Sequence, residues 1–173
     1  MNGILQEHVI SSFGLTSDQR EAAIERHRDV VVTAGAGSGK TRTLVARYAS
    51  LLADGLSPRA VVAVTFTEKA AREMRSRVRQ ALNDLLKQAT SEEERQRWIT
   101  VNSEMDSARI GTIHSLCAEI LRANPAEAEI DPKFEVLDEG LVAALRANIV
   151  EETIAVLVSL SEYIPLFQHL SIT

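Results

Sequence analysis

The sequence predicts an α/β fold: a parallel β-sheet flanked by helices, with a helical C-terminal extension. Three observations support this prediction. Short β-branched runs alternate with segments whose apolar residues recur at helical spacing. The joins between these segments are short, as in α/β domains with a parallel sheet. From about residue 138 onward the pattern is helical and apolar. We therefore expect a sheet-containing part at residues 1–135 and a separate helical part at residues 136–173.

The first predicted elements surround a glycine-rich turn. Residues 1–13 show no strong pattern, and a helix is predicted over about 15–27. Val30–Thr33 is a short β-branched run, which is typical of a parallel strand buried on both faces. After the turn we expect a helix over about 40–54, because its apolar residues recur at helical spacing and Gly55 favours a helix end.

The later segments continue the alternation of strand and helix. We expect a second buried strand at 60–66, a helix at 68–87, a charged surface helix or insertion at 91–106 and a third strand at 108–114. Beyond it we expect a helix at 115–123 that stops before Pro125, an extended stretch at 131–138, and helices to the end with a break near Pro165.

Composition and charge narrow the class of protein. Apolar residues make up 45% and charged residues 25%, which is ordinary for a globular domain. The net charge of −5 argues against a protein that binds nucleic acid over its whole surface. A local stripe of basic residues is still compatible with it, because the net charge sums over all faces of the molecule. Cys117 is the only cysteine, so no internal disulfide forms; we expect a core position for it and a cytoplasmic location for the protein. We identify no signal peptide, and the longest apolar run, Ile154–Leu160, is far below the roughly 20 residues of a membrane span, so no membrane partner is expected.

Thr33–Thr41 has the pattern of a phosphate-binding loop between a strand and a helix. Its glycines allow backbone N–H groups to turn toward phosphate oxygens, and the helix N-terminus adds partial positive charge. Lys40 is expected to reach the β- and γ-phosphates, and the Thr41 hydroxyl to ligate Mg²⁺; these two are the predicted catalytic residues. The motif usually begins with glycine where this chain has Ala34, a mild departure. The predicted nucleotide contacts of the loop are Ala34, Gly35, Ala36, Gly37, Ser38, Gly39, Lys40 and Thr41.

The helix predicted at 68–87 has an apolar face and a basic face. The apolar face consists of Ala71, Met74, Val78, Leu82 and Leu85. The basic stripe consists of Lys69, Arg72, Arg75 and Arg79. Such a stripe is usually a solvated face, but it can also follow a phosphate backbone. Thr65–Thr67 stands at the carboxyl end of the preceding strand, where α/β sheets place ligands, and its hydroxyls and aromatic ring suit a single nucleic-acid strand.

Four segments, in chain order, resemble motifs of superfamily 1 DNA helicases of the UvrD/Rep type. They are Leu15–Gln19 (the Q motif), Ala34–Thr41 (motif I), Thr65–Met74 (motif Ia) and Gly111–Ser115 (motif Ic). Phe134–Glu139 is similar to AddA- and RecB-like helicase–nuclease subunits rather than to plain UvrD. The resemblance covers about residues 15–140.

The resemblance implies the N-terminal, ATP-binding part of a helicase motor with a RecA-like P-loop NTPase fold. Such a motor uses ATP and Mg²⁺ to translocate on single-stranded DNA and unwind duplex, in DNA repair or recombination. Gln19 would read the adenine and Arg42 would pack on the base. The implied DNA contacts are Thr65, Phe66, Thr67, Lys69, Arg72, Thr112 and His114. The implied partners are single-stranded DNA and its junction with duplex, the rest of the helicase chain with its second motor domain, and a partner nuclease–helicase subunit.

The same resemblance makes residues 1–135 the N-terminal part of motor domain 1A and residues 136–173 the truncated start of an inserted helical subdomain. The chain is then a fragment that binds ATP without efficient turnover. A Mg²⁺-holding acid on a second strand is also missing. Val136–Glu139 does not supply it, because a buried strand should be nearly continuous in apolar residues and Phe134–Asp138 is interrupted by a charge.

Alternatives remain open for single residues and for the whole chain. Gln19 follows Thr16 by three residues, a spacing that also suits a capping box. Arg42 is otherwise a solvated helix arginine, and His114 otherwise a structural residue beside a strand. For the chain, the alternative is a small self-sufficient P-loop NTPase or nucleotide kinase that uses Asp138 or Glu139 as its acid. A nucleotide-binding regulatory module is a third hypothesis.

Overall fold

A computed structural model describes residues 2–33, 35 and 37–169, and the chain divides into two compact units, Met1–Ile120 and Leu121–Thr173. The first unit contains α1 (Asn2–Ser12), α2 (Ser17–Ile24), α3 (Lys40–Ala53), β1 (Val62–Thr65), α4 (Glu68–Gln88), α5 (Glu92–Ser103), β2 (Arg109–Thr112) and most of α6 (Ile113–Ala123). The second contains α7 (Pro125–Ala128), α8 (Glu139–Ser159) and α9 (Ile164–His169).

The core of the first unit forms around α4. The five apolar residues predicted to share one face of this helix are all buried, because the opposite face carries the charges. Four of the five belong to one buried cluster with Val45, Tyr48 and Leu52 of α3 and with Trp98 of α5; they are Met74, Val78, Leu82 and Leu85. Tyr48 is buried, and burial raises its pKa to about 12 although the nearby Arg75 charge acts in the opposite direction.

β1 and β2 form a parallel pair, with Val62 opposite Arg109 and Thr65 opposite Thr112. This pairing confirms the second and third predicted strands and their parallel direction. The crossover between the strands is made by α4 and α5, as parallel pairing requires. The prediction that the second strand is buried is wrong for this structure, since Val62 and Val64 of β1 are each 44% exposed.

The prediction of a strand at Val30–Thr33 is wrong for this structure. Residues 30–33 form no strand, and Val31 is 86% exposed. A strand is stabilised by ladder hydrogen bonds to a neighbour, and in the described part of the chain β1 and β2 pair only with each other. The fold class is therefore confirmed in a coarser form: a helix-rich mixture with a small parallel sheet.

α1 is an element that was not predicted from the sequence. Leu5, Val9, Ile10 and Phe13 are spaced as on one helix face, and Val9 and Ile10 are fully buried against α2 and α3. The helix is followed by Gly14, whose φ of 56° lies in the left-handed region that favours glycine. The helical spacing of these four residues is the signal that could have revealed it.

Cys117 lies on the surface, contrary to the predicted core position. The physical reason is the packing of α6, in which Ala118 is the buried residue while Ile120 is 48% exposed. Helical periodicity identifies an apolar face but does not supply the neighbour that would cover it.

The second unit is helical, as predicted for the C-terminal part. Asp138 caps α8, its side chain accepting a hydrogen bond from the backbone N–H of Leu141 at 2.8 Å. The predicted break near Pro165 is confirmed, since α8 ends at Ser159 and α9 begins at Ile164. The predicted domain boundary after residue 135 falls just before this helix and stays a prediction. Within the described residues, no helix combines the length and apolarity needed to cross a membrane.

Candidate functional site

The glycine-rich loop adopts backbone conformations that only glycine takes readily. Gly37 and Gly39 have φ values of 77° and 85°, and Gly39 directly precedes the first residue of α3. The Gly35 carbonyl accepts a hydrogen bond from the Ser38 hydroxyl at 2.7 Å, which closes the loop on itself. Ala34 and Ala36, two of the predicted nucleotide contacts, lie outside the described residues.

Lys40 and Thr41 occupy the first turn of α3. The Lys40 ammonium donates to the Gly35 carbonyl at 2.5 Å, so the charge is held over the loop. Thr41 is exposed, and its hydroxyl has no hydrogen bond to any other described residue. The first backbone N–H groups of a helix have no partner within the helix and carry partial positive charge. A lysine, a hydroxyl and a helix N-terminus thus converge beside the loop, a donor set that fits a triphosphate with Mg²⁺.

Gln19 connects α2 to the phosphate loop. Its Oε1 accepts from the Thr16 backbone N–H at 3.1 Å, and the Thr16 hydroxyl accepts from the Gln19 N–H, so the capping box is present. Its Nε2 donates to the Ser38 carbonyl at 2.8 Å, and Arg42 Nη2 lies 3.5 Å from its Oε1. The capping alternative therefore describes one role of Gln19, and adenine contact by Gln19 and Arg42 stays a prediction.

α2 is fixed along α3 by polar contacts at its C-terminal end. Arg47 Nη1 donates to the carbonyls of Ala22 and Glu25 at 2.7 and 2.8 Å, and the Ser50 hydroxyl donates to the Ala23 carbonyl at 3.0 Å. These bonds satisfy carbonyls that the end of a helix leaves open. Gln19 is therefore carried by a helix whose position relative to the loop-bearing helix is fixed.

A cavity of about 560 Å³ lies beside Gln19 and Ser38, lined also by Val30–Thr33 and by the acidic residues of α2. The Glu25 carboxylate at its edge accepts from the His27 backbone N–H and from the Arg28 side chain, and these bonds lower its pKa to about 2. Arg28 lines the same cavity and pairs with Glu25 at 2.8 Å, but the acidic residues of the wall outnumber this one base, which disfavours a phosphate there.

The predicted DNA contacts of motif Ia lie together at the carboxyl end of β1. The Thr65 hydroxyl donates to the Thr67 carbonyl at 3.0 Å, and the Phe66 ring is 98% exposed. Thr67 caps α4 by accepting from the Ala70 N–H at 3.2 Å. Lys69, the second residue of α4, is exposed.

The basic stripe is smaller in the structure than in the sequence. Arg75 Nη2 donates to the Ile110 carbonyl at 2.7 Å, and Arg79 pairs with Asp106 at 2.5 Å. Lys69 and Arg72 are exposed and make no ion pair or side-chain hydrogen bond with the described residues. Within the stripe, Lys69 and Arg72 are therefore the two cations without a partner among the described residues.

Thr112 and His114 differ in accessibility. Thr112 is 6% exposed; its hydroxyl donates to Glu68 Oε1 at 3.0 Å and accepts from the Ser115 N–H at 3.2 Å. His114 is exposed in the first turn of α6. The geometry thus presents His114 to solvent and gives Thr112 a structural role, while DNA contact by either stays a prediction. Glu68, which links the two strand ends, was not singled out from the sequence; an acid directly after the Thr67 cap was the available signal.

Asp138 and Glu139 lie at the start of α8 in the second unit, and a catalytic role for either stays a prediction. Asp138 uses its carboxylate to cap α8, and Glu139 is the exposed first residue of that helix. In the part of the chain that the structure describes, no group of three or more His, Cys, Asp or Glu residues could hold a metal ion.

Comparison with known proteins identifies the chain's relatives. The model of the UvrD/REP helicase N-terminal domain matches residues 15–163. An ATP-dependent helicase/nuclease subunit of Ligilactobacillus salivarius (strain UCC118) is 39% identical over 140 residues, which cover 80% of this chain and 11% of the relative. The ATP-dependent helicase/nuclease subunits of Natranaerobius thermophilus and Desulforudis audaxviator are 36% and 39% identical over 86% and 83% of this chain, and each is covered to 12%.

The chain spans about a ninth of the length of these curated relatives. The matched residues include the loop, the Q-motif segment and both strand ends. The resemblance to UvrD/Rep-type helicases and to helicase–nuclease subunits is thereby confirmed, and this chain belongs to the UvrD/REP helicase N-terminal domain family.

Proposed function

We propose that this chain is the ATP-binding N-terminal part of an ATP-dependent DNA helicase. The observation that carries the proposal is the Lys40 ammonium held over a glycine loop at the N-terminus of α3. This arrangement offers one positive side chain and several backbone N–H groups to a chain of phosphates. The relatives are named as ATP-dependent helicase/nuclease subunits, and these names support the same activity for the whole protein.

Each residue of the site has a distinct role in this proposal. Lys40 neutralises the β- and γ-phosphates, and Thr41 supplies a hydroxyl ligand to Mg²⁺. Gln19 and Arg42 contact the adenine. Bound Mg²⁺ supplies charge neutralisation for phosphoryl transfer to water.

The proposed DNA site lies at the ends of β1 and β2. The almost full exposure of Phe66 supports stacking on a base, and the exposure of Lys69 and Arg72 supports contacts with phosphates. We propose that Thr65, Thr67 and His114 complete this contact surface. In the whole protein the surface would track single-stranded DNA during translocation and unwinding in DNA repair or recombination, with a second motor domain and a partner nuclease–helicase subunit.

Removal of the Lys40 charge tests the nucleotide site. Lys40→Ala should weaken MgATP binding by about ten- to hundredfold, because a charge-assisted contact contributes about 1.5–3 kcal/mol. Isothermal titration calorimetry measures the affinity, and Lys87→Ala, an exposed lysine of α4, is the matched control. Equal affinity in the wild type and Lys40→Ala would contradict the phosphate-loop assignment.

Turnover separates the proposal from the self-sufficient NTPase. We expect this chain to bind MgATP and to release almost no phosphate, with or without single-stranded DNA. Sustained phosphate release that disappears in Lys40→Ala would instead support a complete small NTPase.

A further inference from the structure

Both the oxygen and the nitrogen of the Gln19 side-chain amide form hydrogen bonds within the protein. Oε1 accepts from the Thr16 backbone N–H at 3.1 Å, and Nε2 donates to the Ser38 carbonyl at 2.8 Å. Thr16 belongs to the start of α2, whereas Ser38 belongs to the phosphate loop. One side chain therefore joins the cap of a rigidly held helix to the backbone of the loop.

The capping box determines which end of the amide faces the loop. An amide oxygen can only accept and an amide nitrogen can only donate. Because the Thr16 N–H requires an acceptor, Oε1 faces α2 and the Nε2 donor is directed toward Ser38. The bond to the loop thus follows from the local chemistry of α2.

The amide is also in close contact with the loop at Gly39. A Cβ placed on Gly39 would lie 3.1 Å from Gln19 Nε2, tighter than ordinary contact. The φ of 85° at Gly39 lies in the left-handed region that favours glycine, and any larger residue there would also have to displace the Gln19 amide by a few tenths of an ångström.

A bond to the Ser38 carbonyl fixes more than one atom. The peptide between Ser38 and Gly39 is planar and trans, so its C=O and N–H point in opposite directions. When Gln19 holds the carbonyl toward α2, the Gly39 N–H is turned to the side away from α2. A loop rich in glycine would otherwise lose much conformational entropy on binding a ligand.

We propose that Gln19 is a positioning residue for the phosphate loop: its amide holds the Ser38 carbonyl and thereby orients the Gly39 N–H for a polyphosphate, whatever base is attached. The proposal deepens the proposed ATP site and rests on it. It gives Gln19 a role in phosphate affinity that adenine contact alone does not require.

Inorganic tripolyphosphate with Mg²⁺ is the probe, because it has the phosphates of ATP and no base. Gln19→Met keeps the length of the side chain and removes its Nε2 donor. Thr16→Ala removes a cap hydroxyl but keeps the backbone N–H that orients Gln19, so it is the matched control. Calorimetry gives the affinity of each variant for Mg-tripolyphosphate and MgATP, and thermal unfolding reports stability.

We expect Gln19→Met to bind Mg-tripolyphosphate about three- to tenfold more weakly than the wild type, the worth of one hydrogen bond. Thr16→Ala should lose stability while its affinity changes less than about twofold. The proposal is overturned if Gln19→Met weakens MgATP but not tripolyphosphate, or if Thr16→Ala weakens tripolyphosphate equally. If the wild-type chain binds neither MgATP nor Mg-tripolyphosphate, the proposed function is overturned as well. If the wild type binds both and only the variants behave otherwise than expected, the role of Gln19 alone is overturned.

Discussion

Glu94 shows how one carboxylate joins three parts of the first unit. It accepts from the Thr90 backbone N–H at 3.0 Å, lies 3.0 Å from His8 Nδ1 of α1, and is 3.5 Å from Trp98 Nε1. Burial raises the pKa of this carboxyl, but the bonds from Thr90, His8 and Trp98 outweigh burial, and the pKa is lowered from its ordinary value of 4.5.

Because this pKa is lowered, the free energy of unfolding depends on pH in the acidic range. A carboxyl whose folded-state pKa is depressed contributes stability above its unfolded pKa, and that contribution is lost as pH falls through the folded value. Glu94→Gln should therefore be less stable than the wild type at pH 7, and the difference should shrink below about pH 4.5. Urea unfolding followed by circular dichroism across this range measures the effect.

Glu93→Gln, an exposed neighbour on α5, is the control for Glu94→Gln. It should leave both the stability and its pH dependence near those of the wild type. A difference between Glu94→Gln and wild type that stays constant from pH 7 to pH 3 would contradict the role of the carboxylate charge.

The site residues differ in how far local sequence determines them. The conformation of the loop glycines and the place of Lys40 and Thr41 in the first turn of α3 are predictable, because they depend on residues within one turn. Their contact with a nucleotide stays a prediction. The capping role of Gln19 was also predictable from its spacing to Thr16. The burial of Thr112 was not, because its partner Glu68 is brought to it by the register of β1 and β2, and register depends on packing between distant segments.

At the scale of elements, the long amphipathic helix was the most predictable and the isolated strand run the least. α4 differs from its predicted bounds by only one residue. The agreement is close because a helix forms its backbone hydrogen bonds within itself, and because the spacing of apolar residues in the sequence indicates its buried face. The β-branched run at Val30–Thr33 has strand propensity, but a strand needs a partner that propensity cannot provide. α1 was missed although its periodicity was present.

The start of α4 combines a helix cap with a predicted DNA contact. Thr67→Ala should destabilise the protein by about 1 kcal/mol through loss of the cap, whereas Thr67→Ser keeps the hydroxyl and should be nearly neutral. Chemical denaturation of the two variants measures this difference. Equal stability of Thr67→Ala and Thr67→Ser would show that the cap contributes nothing measurable.

At the scale of the whole molecule, the net charge of −5 opposes general attraction to DNA, so binding depends on local cations. Lys69→Ala with Arg72→Ala should weaken single-stranded DNA binding at low salt. It should also reduce the dependence of log affinity on log salt by about 0.7 for each phosphate that is no longer neutralised. Fluorescence anisotropy of a labelled oligonucleotide at several salt concentrations measures both quantities.

Two further variants make the DNA test specific. Arg95→Ala removes an exposed cation from α5 and should leave DNA binding unchanged. Arg75→Ala should act mainly on stability, because Arg75 donates to the Ile110 carbonyl. If the double variant and Arg95→Ala weaken binding equally, the cations of α4 form no specific site.

The exposed run at Val30–Thr33 has a consequence for the chain in solution. Among the described residues its backbone groups have no ladder partner, and Val31 is almost uncovered. Such a segment is a template onto which another extended chain can add, as at an unprotected sheet edge. The isolated chain should therefore self-associate more as its concentration is raised. On heating, its light scattering should increase at temperatures well below those at which the cores of the molecules unfold.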